Sequence, residues 1–344
     1  MEAGMDTQVM ETADRIRKEV QSVVVGQDEV IDELILCLFC GGHSLLIGVP
    51  GLAKTLLVST IARTLSLEFS RIQFTPDLMP SDMTGTEVME EDKATGNRSM
   101  RFVRGPVFAN LVLADEINRT PPKTQAALLE AMQEQQVTAG GNKHLLPRPF
   151  FVLATQNPIE QEGTYPLPEA QLDRFMFNTR ISYPSSQEEH EIVLRTTSAT
   201  EPEVNPVIDG SKVLEIQDLV RQVPIAPQVV DYALRIVRGT RVGEEDSSVP
   251  DFMQQYIRWG AGPRASQYLV LAAKGKAILR GSSVVDFSDI RSVTHPVLRH
   301  RILRNFNAEA DGVQVDELIN QLLDWVDEDG TDPETARRLD RVMH

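Results

Sequence analysis

Residues Ile47–Thr55 read IGVPGLAKT and lie between an apolar run and a run with helical periodicity. The stretch follows the phosphate-binding pattern G-x-x-x-x-G-K-[ST], except that Ala53 stands where the second glycine is usual. Such a loop curls its backbone N–H groups around a phosphate at a helix N-terminus, where the helix dipole adds positive potential. The sequence therefore predicts a strand, a phosphate loop and a helix in this order.

The loop needs unusual backbone angles at only some positions. Gly48 ends the strand and Gly51 lies in the middle of the curl, so both can supply these angles. At Ala53 we expect the chain to be entering the helix with a negative φ, where a Cβ costs little. Lys54 is placed to reach the β- and γ-phosphates, and Thr55 to hold Mg²⁺. The nucleotide-binding positions predicted for the loop are Gly48, Pro50, Gly51, Leu52, Ala53, Lys54, Thr55 and Leu56.

A second apolar run, LVLADEINR, ends in two acids, of which the first follows Lys54 by 61 residues. Asp115 would hold the metal through its water shell, and Glu116 would orient and polarise an attacking water. Two acids at the end of a strand can also be an N-cap pair for the next helix. Their place in the same inferred sheet as the phosphate loop favours Mg²⁺-dependent nucleotide hydrolysis.

Length and composition limit the function classes. A chain of 344 residues with 41% hydrophobic content can bury one large and one smaller core, so we expect two domains. The 34 basic and 50 acidic residues give a net charge of -16, which weighs against a general nucleic-acid binder but leaves a local basic stripe open. Without a long apolar run or a secretion signal, the sequence predicts a soluble cytoplasmic protein that does not insert into a membrane.

Cys37 and Cys40 form a C-x-x-C motif in an apolar run with helical spacing. A redox C-x-x-C needs a helix N-terminus to lower a thiol pKa, and these thiols come late in the predicted helix. His43 follows closely, but a zinc site would need a fourth ligand that no nearby pair supplies. We predict that both thiols belong to the core.

An α/β rhythm runs to about residue 184. Apolar runs predict buried parallel strands at HSLLIG, LEFSRIQF, NLVLADE, FFVLATQ and FMFNTRIS. The helices predicted here are Thr12–Val23, Asp28–Phe39 with Asp28 as N-cap, Lys54–Ser66 and Pro122–Gln133. Alternating strands and helices predict a doubly wound parallel sheet in a nucleotide-binding core of residues 1–184.

Two insertions interrupt this rhythm and are predicted to be hairpins. In GTEVMEEDKATGNRSMRFV the turn signal is ATGN, and in EQQVTAGGNKHLLPRPF it is Ala139–Asn142. Decorative surface loops remain the alternative for both.

Residues 185–344 are predicted to form a second domain of amphipathic helices with an acidic helical segment at the end. The stretch GEEDSSVP is predicted to be a polar loop. The acidic segment from residue 311 is predicted to present a solvated charged face, with packing of the amphipathic stretch DELINQLLDWVDEDG on the lid or on a neighbour as the alternative. The predicted helices are Gln187–Ser198, Glu215–Val223, Pro227–Arg238, Ser266–Leu279 and Val315–Val326.

In their order these blocks resemble the MoxR-type AAA+ ATPases. The resemblance runs through VVGQ, GVPGLAKT, TPDLMPSDMTG, RFVRGPVFANLVLADEINR, PPKTQAALLEAMQE, ATQNP, YPLPEAQLDRF and GAGPRAS, and it covers nearly the whole chain. Alanine before the loop lysine is typical of this family. The resemblance implies an α/β AAA+ P-loop NTPase core with hairpin insertions, followed by an all-helical lid domain.

The resemblance also implies roles for five further residues. Asn157 of ATQNP would sense the γ-phosphate, although a strand-end turn is its plain alternative. Arg174 matches an arginine finger supplied to a neighbouring subunit, with a structural ion pair to the flanking acid as alternative. Arg264 matches the sensor arginine of the lid and could instead be a surface residue at a helix start. Val25 and Gly26 would line the adenine pocket.

A finger supplied in trans implies a ring, and the resemblance implies a hexamer. It further implies ATP hydrolysis coupled to remodelling or activation of a client polypeptide or complex, with a separate von Willebrand factor A domain protein as partner. Two other readings stay open. One is a nucleic-acid-remodelling ring ATPase, against which the acidic charge weighs, and the other is a nucleotide-gated scaffold without significant turnover.

Overall fold

A computed structural model describes residues 5–91, 98–158, 163–198, 202–243 and 249–326. Its packing divides the chain into two compact units. The first comprises Thr12–Phe175 and Thr179–Ile216, and the second comprises Met1–Glu11, Met176–Asn178 and Gln217–His344. Each unit is described by itself.

The apolar runs form the five strands that the sequence predicts. The first nine strands of the chain are β1 (Ser44–Ile47), β2 (Phe69–Gln73), β3 (Gly85–Glu91), β4 (Arg98–Arg104), β5 (Leu111–Asp115), β6 (Gln136–Ala139), β7 (Asn142–Leu145), β8 (Phe151–Gln156) and β9 (Phe177–Arg180). Five of them make one sheet with the order β2-β5-β8-β1-β9, in which β2 with β5, β5 with β8 and β8 with β1 are parallel.

The prediction that all five strands are buried is wrong for β2. This strand lies at the edge of the sheet, so Ile72 is buried while Arg71 and Gln73 are exposed. Central strands β5 and β8 are almost wholly buried because helices cover them. On one face, Val112 and Ala154 pack in a core with residues of the helix that follows β5.

Most helices of this part of the chain lie near the predicted positions, but two short ones, Pro80–Thr84 and Glu169–Leu172, were not predicted. The helix predicted at Glu215–Val223 begins five residues earlier, at Gly210. The helices are α1 (Met5–Val23), α2 (Asp28–Phe39), α3 (Lys54–Thr64), α4 (Pro80–Thr84), α5 (Pro122–Glu134), α6 (Glu169–Leu172), α7 (Ser186–Thr196) and α8 (Gly210–Gln222). The first helix was predicted to start at Thr12, but α1 begins at Met5, about two turns earlier. Asp28 is not an N-cap: Gln27 takes that position with φ of 60°, and Asp28 is the first residue of α2. Its carboxylate instead accepts a hydrogen bond of 2.7 Å from Gln21.

Both insertions are hairpins, as predicted. β3 pairs with β4 and β6 with β7, each in antiparallel register. Gly140 and Gly141 form the second turn with φ of 56° and 79°, whereas the ATGN turn lies outside the described residues. The hairpins contact each other where Phe102 stacks on His144, with ring centroids 3.9 Å apart. The two hairpins therefore pack against each other.

The second unit is mainly helical. Its helices are α9 (Pro227–Arg238), α10 (Asp251–Tyr256), α11 (Pro263–Leu279), α12 (Phe287–Leu298), α13 (Phe306–Ala310) and α14 (Val315–Trp325). Two short strands that the sequence did not predict, β10 (Ile257–Trp259) and β11 (Leu303–Arg304), pair in antiparallel fashion. Most of the predicted polar loop at 243–250 and the part of the acidic segment after residue 326 lie outside the described residues. The described part of that segment contains α14, which buries Leu318, Ile319 and Leu322, so one face of it is packed rather than solvated. Within the described ranges, no helix is both long enough and apolar enough to cross a membrane.

The two thiols belong to the core, as predicted. Cys37 is fully buried and Cys40 is 2% exposed, and burial raises the pKa of the Cys37 thiol well above its usual range. His43 is buried and neutral: its Nδ1 accepts a hydrogen bond from the Val152 N–H, and burial lowers its pKa to about 4. These three side chains therefore belong to the packed core and do not form a redox or zinc site.

We therefore expect neither cysteine to react with a thiol-specific reagent in the folded chain at mildly alkaline pH, because a protonated, buried thiol is a poor nucleophile. Both should react at once in denaturant, and Cys37→Ala should leave a single reactive thiol there. Rapid colour development with Ellman's reagent in native buffer would contradict the buried assignment.

Candidate functional site

The IGVPGLAKT stretch forms the predicted strand, loop and helix. β1 ends at Ile47 and α3 begins at Lys54. Gly51 has a φ of 85°, which favours glycine, and a Cβ there would meet no atom within 4 Å. The first N–H groups of α3 cannot have intrahelical partners, which makes this curl suitable for an anion.

The expectation of a negative φ at Ala53 is wrong. Ala53 is the N-cap of α3 and adopts the left-handed conformation, with φ of 52° and ψ of 27°. A Cβ in this region costs about 1–2 kcal/mol, so the loop keeps alanine at the expense of local strain. Gly48 does not have a positive φ. It is required by close approach, since a Cβ there would lie 2.7 Å from the carbonyl oxygen of Ile181.

The two acids occupy the end of β5. Asp115 is its last residue, and Glu116 turns the chain with a left-handed φ of 58°. Thr155 joins them: its hydroxyl donates to Asp115 Oδ1 at 2.6 Å and accepts from the Glu116 N–H at 2.8 Å. The neighbouring strand β8 therefore fixes the Asp115 carboxylate and the backbone of Glu116.

Further side chains contact these acids. Arg71 Nη2 and Nε donate to Asp115 Oδ2 at 2.6 and 3.1 Å. Glu116 Oε2 accepts from Gln73 and from Arg119, at 2.8 Å each. Each acid thus has a cationic partner within the chain.

Loop and acids border one cavity of about 390 Å³. Lys54 is half-buried in it, and its ammonium donates to the Gly48 carbonyl. Desolvation lowers the pKa of Lys54, while the charges of Asp115 and Glu116 oppose that shift. The lining residues are Pro50, Gly51, Leu52, Ala53, Lys54, Thr55, Arg71, Gln73, Asp115, Glu116, Thr155 and Asn157.

The structure therefore brings together the predicted lysine, threonine, two acids and asparagine. Asn157 is 6% exposed and follows the end of β8, at the edge where the acids lie. Gly48 borders the loop from the strand side, and Leu56 is 45% exposed on α3. Neither is among the described lining residues.

Val25 and Gly26 lie in the turn between α1 and α2, outside the described lining of this cavity. Gly26 has a φ of 69°, and a Cβ there would collide with the carboxylate of Glu188 in α7. The next residue, Gln27, donates its side-chain amide to the Ser182 carbonyl at 2.8 Å. An adenine-binding role for this turn stays a prediction.

Arg174 lines a different cavity, of about 560 Å³. Its Nε donates to Gln133 at 3.1 Å, and Glu130 and Glu134 also line the space. This guanidinium is not part of the phosphate-loop cavity of its own chain. Arg264 is the second residue of α11 in the other unit and is half-buried.

The cavity suits a magnesium nucleotide chemically. Asp115 and Thr55 offer the oxygen ligands that Mg²⁺ prefers, and Lys54 offers a cation for phosphate. In the described part of the chain, no three His, Cys, Asp or Glu side chains group closely enough to hold a metal alone. That agrees with Mg²⁺ sites in which one or two protein ligands are completed by water and phosphate oxygens.

Arg71, Gln73 and Thr155 were missed by the sequence reasoning. A signal for two of them exists: in a strand, alternate residues share a face, so Arg71 and Gln73 of β2 point the same way. Polar residues near the carboxyl ends of β2 and β8 could also have been proposed from their position.

Comparison with known proteins agrees with this geometry. The family model described as "ATPase family associated with various cellular activities (AAA)" matches residues 43–177, and that of the AAA lid domain matches residues 252–322. Chaperone MoxR1 of Mycobacterium tuberculosis is 43% identical over 315 residues, which cover 92% of this chain and 82% of the relative. The uncharacterized protein YeaC of Bacillus subtilis is 38% identical over 310 residues, which cover 90% of this chain and 92% of the relative.

A crystal structure from Cytophaga hutchinsonii, described as a candidate ATPase, superposes with a TM-score of 0.85. The two sequences are 42% identical, and the superposed part covers 94% of this chain and 96% of the crystallised one. A P-loop core with a helical lid is the class of protein that the fold and site define. The chain belongs to the MoxR family of AAA+ ATPases.

The left-handed Ala53 gives a test of the loop geometry. Ala53→Gly should change the free energy of unfolding by less than about 1 kcal/mol and keep nucleotide binding, because relief of strain offsets added chain entropy. Ala53→Val should cost about 1–3 kcal/mol and weaken binding, because a β-branched residue resists this conformation. Urea unfolding and calorimetric titration with ADP would measure both, and equal affinities in the two variants would contradict the assigned backbone.

Proposed function

We propose that this chain hydrolyses ATP with Mg²⁺, works as a hexameric ring in the cytoplasm, and uses turnover to remodel or activate a partner protein. The observation that carries the proposal is the single cavity that holds Lys54, Asp115, Glu116 and Asn157 at the N-terminus of α3. Membership of an AAA+ ATPase family supports hydrolysis in general.

Each side chain has a separate task in the proposed reaction. Thr55 and Asp115 would hold Mg²⁺, which when bound supplies positive charge against the phosphate oxygens. Lys54 binds the β- and γ-phosphates, and Glu116 orients the attacking water and polarises it. Asn157 aligns that water from the β8 side. Thr155 keeps the two acids in position through its contacts of 2.6 and 2.8 Å.

The position of Arg174 supports the ring. Its side chain lines a cavity separate from the phosphate loop of its own chain, so its proposed finger role requires a neighbouring subunit. In a ring, each guanidinium would neutralise charge that develops on the phosphate of the next subunit. We propose that Arg264 of the lid and the Val25–Gly26 turn contact the same nucleotide, and that the core comprises residues 1–184 and the lid residues 185–344.

The partner proposal rests on family resemblance, on the name of the relative Chaperone MoxR1 and on one surface. The β3–β4 hairpin exposes Val88, Met89, Met100 and Val103 to solvent. Exposed apolar side chains on an insertion suit contact with a polypeptide, and methionine adapts to varied surfaces. We propose a separate von Willebrand factor A domain protein as partner. The net charge of -16 weighs against nucleic acid as substrate.

Steady-state hydrolysis against protein concentration tests the ring enzyme. Specific activity should rise with concentration, and Glu116→Gln should lower it by about 10²–10⁴. Arg174→Ala should lower it by about 10³ or more. A mixture of Arg174→Ala and Lys54→Ala should regain activity, because the first variant keeps intact loops and the second keeps intact fingers.

Each of these variants assayed alone is the control for the mixture. Activity that is independent of concentration, together with no recovery in the mixture, would contradict shared sites. A wild type that binds ATP but hydrolyses none at any concentration would favour the scaffold reading.

The partner can be tested with the trapped enzyme. Glu116→Gln loaded with ATP should retain a von Willebrand factor A domain protein from the same genome in a pull-down, because ATP-bound rings persist without turnover. Lys54→Ala, which should not bind ATP, is the matched control. Equal retention by both variants would argue against nucleotide-dependent partner binding.

A further inference from the structure

One buried amide holds two segments of the main chain that are far apart in sequence. Gln125, in the first turn of α5, is fully buried, and its Nε2 donates to the carbonyls of Ile117 and Thr120 at 3.1 Å each. The same nitrogen donates to the carbonyl of Tyr165 at 2.9 Å, so its two N–H bonds serve three acceptors. The amide oxygen is buried and has no hydrogen-bond partner among the described residues. An unpaired buried acceptor costs free energy, so the amide is explained by the carbonyls that its nitrogen holds rather than by its own packing.

Two of these carbonyls lie at the ends of the turn that follows the second acid. Glu116 has a left-handed φ of 58°, and Ile117–Arg119 after it form a single 3-10 turn. The Gln125 amide holds this turn at the carbonyls of Ile117 and Thr120. A left-handed residue that carries a Cβ persists only where its surroundings fix it. Gln125 therefore helps to hold the backbone from which the Glu116 carboxylate projects.

The third carbonyl lies at the start of the segment that leads to Arg174. Tyr165 is held twice, because its N–H also donates to the carbonyl of Asn118 at 2.6 Å. Leu167 is 6% exposed and belongs to the same apolar core cluster as Ile117. The short helix α6 follows, and Arg174 comes two residues after its end. The segment that carries Arg174 is therefore anchored to the turn after Glu116.

In the proposed ring, Glu116 acts in the site of its own subunit and Arg174 in the site of the neighbour. We propose that Gln125 couples these two sites, because one amide fixes both the turn after Glu116 and the start of the segment that carries Arg174. A shift of either segment must break a hydrogen bond of this nitrogen or move the other segment with it. Gln125 is a positioning residue, since it acts through main-chain carbonyls and lies outside the described lining of the phosphate-loop cavity. The inference rests on the proposed function, in which the two groups serve different sites.

The test introduces Gln125→Met, which keeps the side chain's length but has no donor, into one partner of a mixed ring at a time. The parent mixture contains Lys54→Ala, which supplies fingers, and Arg174→Ala, which supplies phosphate loops. In the Lys54→Ala partner, Gln125→Met should lower the recovered hydrolysis by about tenfold or more, because a displaced finger loses its alignment. In the Arg174→Ala partner it should lower kcat as well, while KM for ATP stays within about twofold because Lys54 and Thr55 are unchanged.

Leu128→Ala is the matched control. It removes a buried side chain of the same helix α5 from the apolar core cluster and touches none of the three hydrogen bonds. In the Lys54→Ala partner it should leave the recovered hydrolysis unchanged, at a temperature where circular dichroism shows every variant folded. Equal losses from Gln125→Met and Leu128→Ala would show a merely structural role and overturn the inference.

Two further outcomes separate this inference from the function on which it rests. Full activity with Gln125→Met in the Lys54→Ala partner would overturn the coupling and leave the shared-site enzyme standing. A parent mixture that regains no activity would overturn the shared sites and the coupling together.

Should Gln125→Met fail to fold, Gln125→Glu replaces it in both partners. Burial favours the protonated carboxyl, which donates one hydrogen bond where the amide donates two. A partial loss of the recovered hydrolysis is then expected in the Lys54→Ala partner, and no loss there would overturn the inference.

Discussion

The parallel register of the central sheet is the constraint on which the site depends. Ile47 lies opposite Gln156, Ala114 opposite Ala154, and Gln73 opposite Asp115, so the carboxyl ends of these strands meet at one edge. Ligand sites of open α/β sheets occur at that edge. Because the register fixes it, residues that are more than 100 positions apart in sequence line one cavity of about 390 Å³.

Strained backbone and charged side chains meet at this edge. Two residues that carry a Cβ, Ala53 and Glu116, adopt left-handed backbone conformations at the points where chemistry is proposed. Buried strands and the helix α3 hold these turns in place, and the Thr155 hydroxyl ties Glu116 to β8. Within the chain, the carboxylates of Asp115 and Glu116 are compensated by Arg71 and Arg119.

Much of this could be predicted from sequence because it depends on local pattern. Apolar runs identified the five strands, and the loop and the acid pair each carry a recognisable order of residue types. Alternation along a strand and position near its carboxyl end could have suggested Arg71, Gln73 and Thr155 as candidates, but their partners could not be assigned before the strands were paired, since register between distant chain segments sets these contacts. The strands β10 and β11 are too short to show a period of two. The φ of Ala53 depends on how the loop closes on the helix, which residue spacing does not reveal.

The most direct test of the central claim is a cryo-electron microscopy structure of Glu116→Gln incubated with ATP and Mg²⁺. The account predicts a triphosphate on the N-terminus of α3, against Lys54 and the metal-facing side of Asp115. It also predicts that the Arg174 guanidinium of an adjacent copy leaves Gln133 and faces the γ-phosphate. Nucleotide bound elsewhere, or Arg174 still on Gln133 in every copy of an ATP-bound assembly, would contradict it.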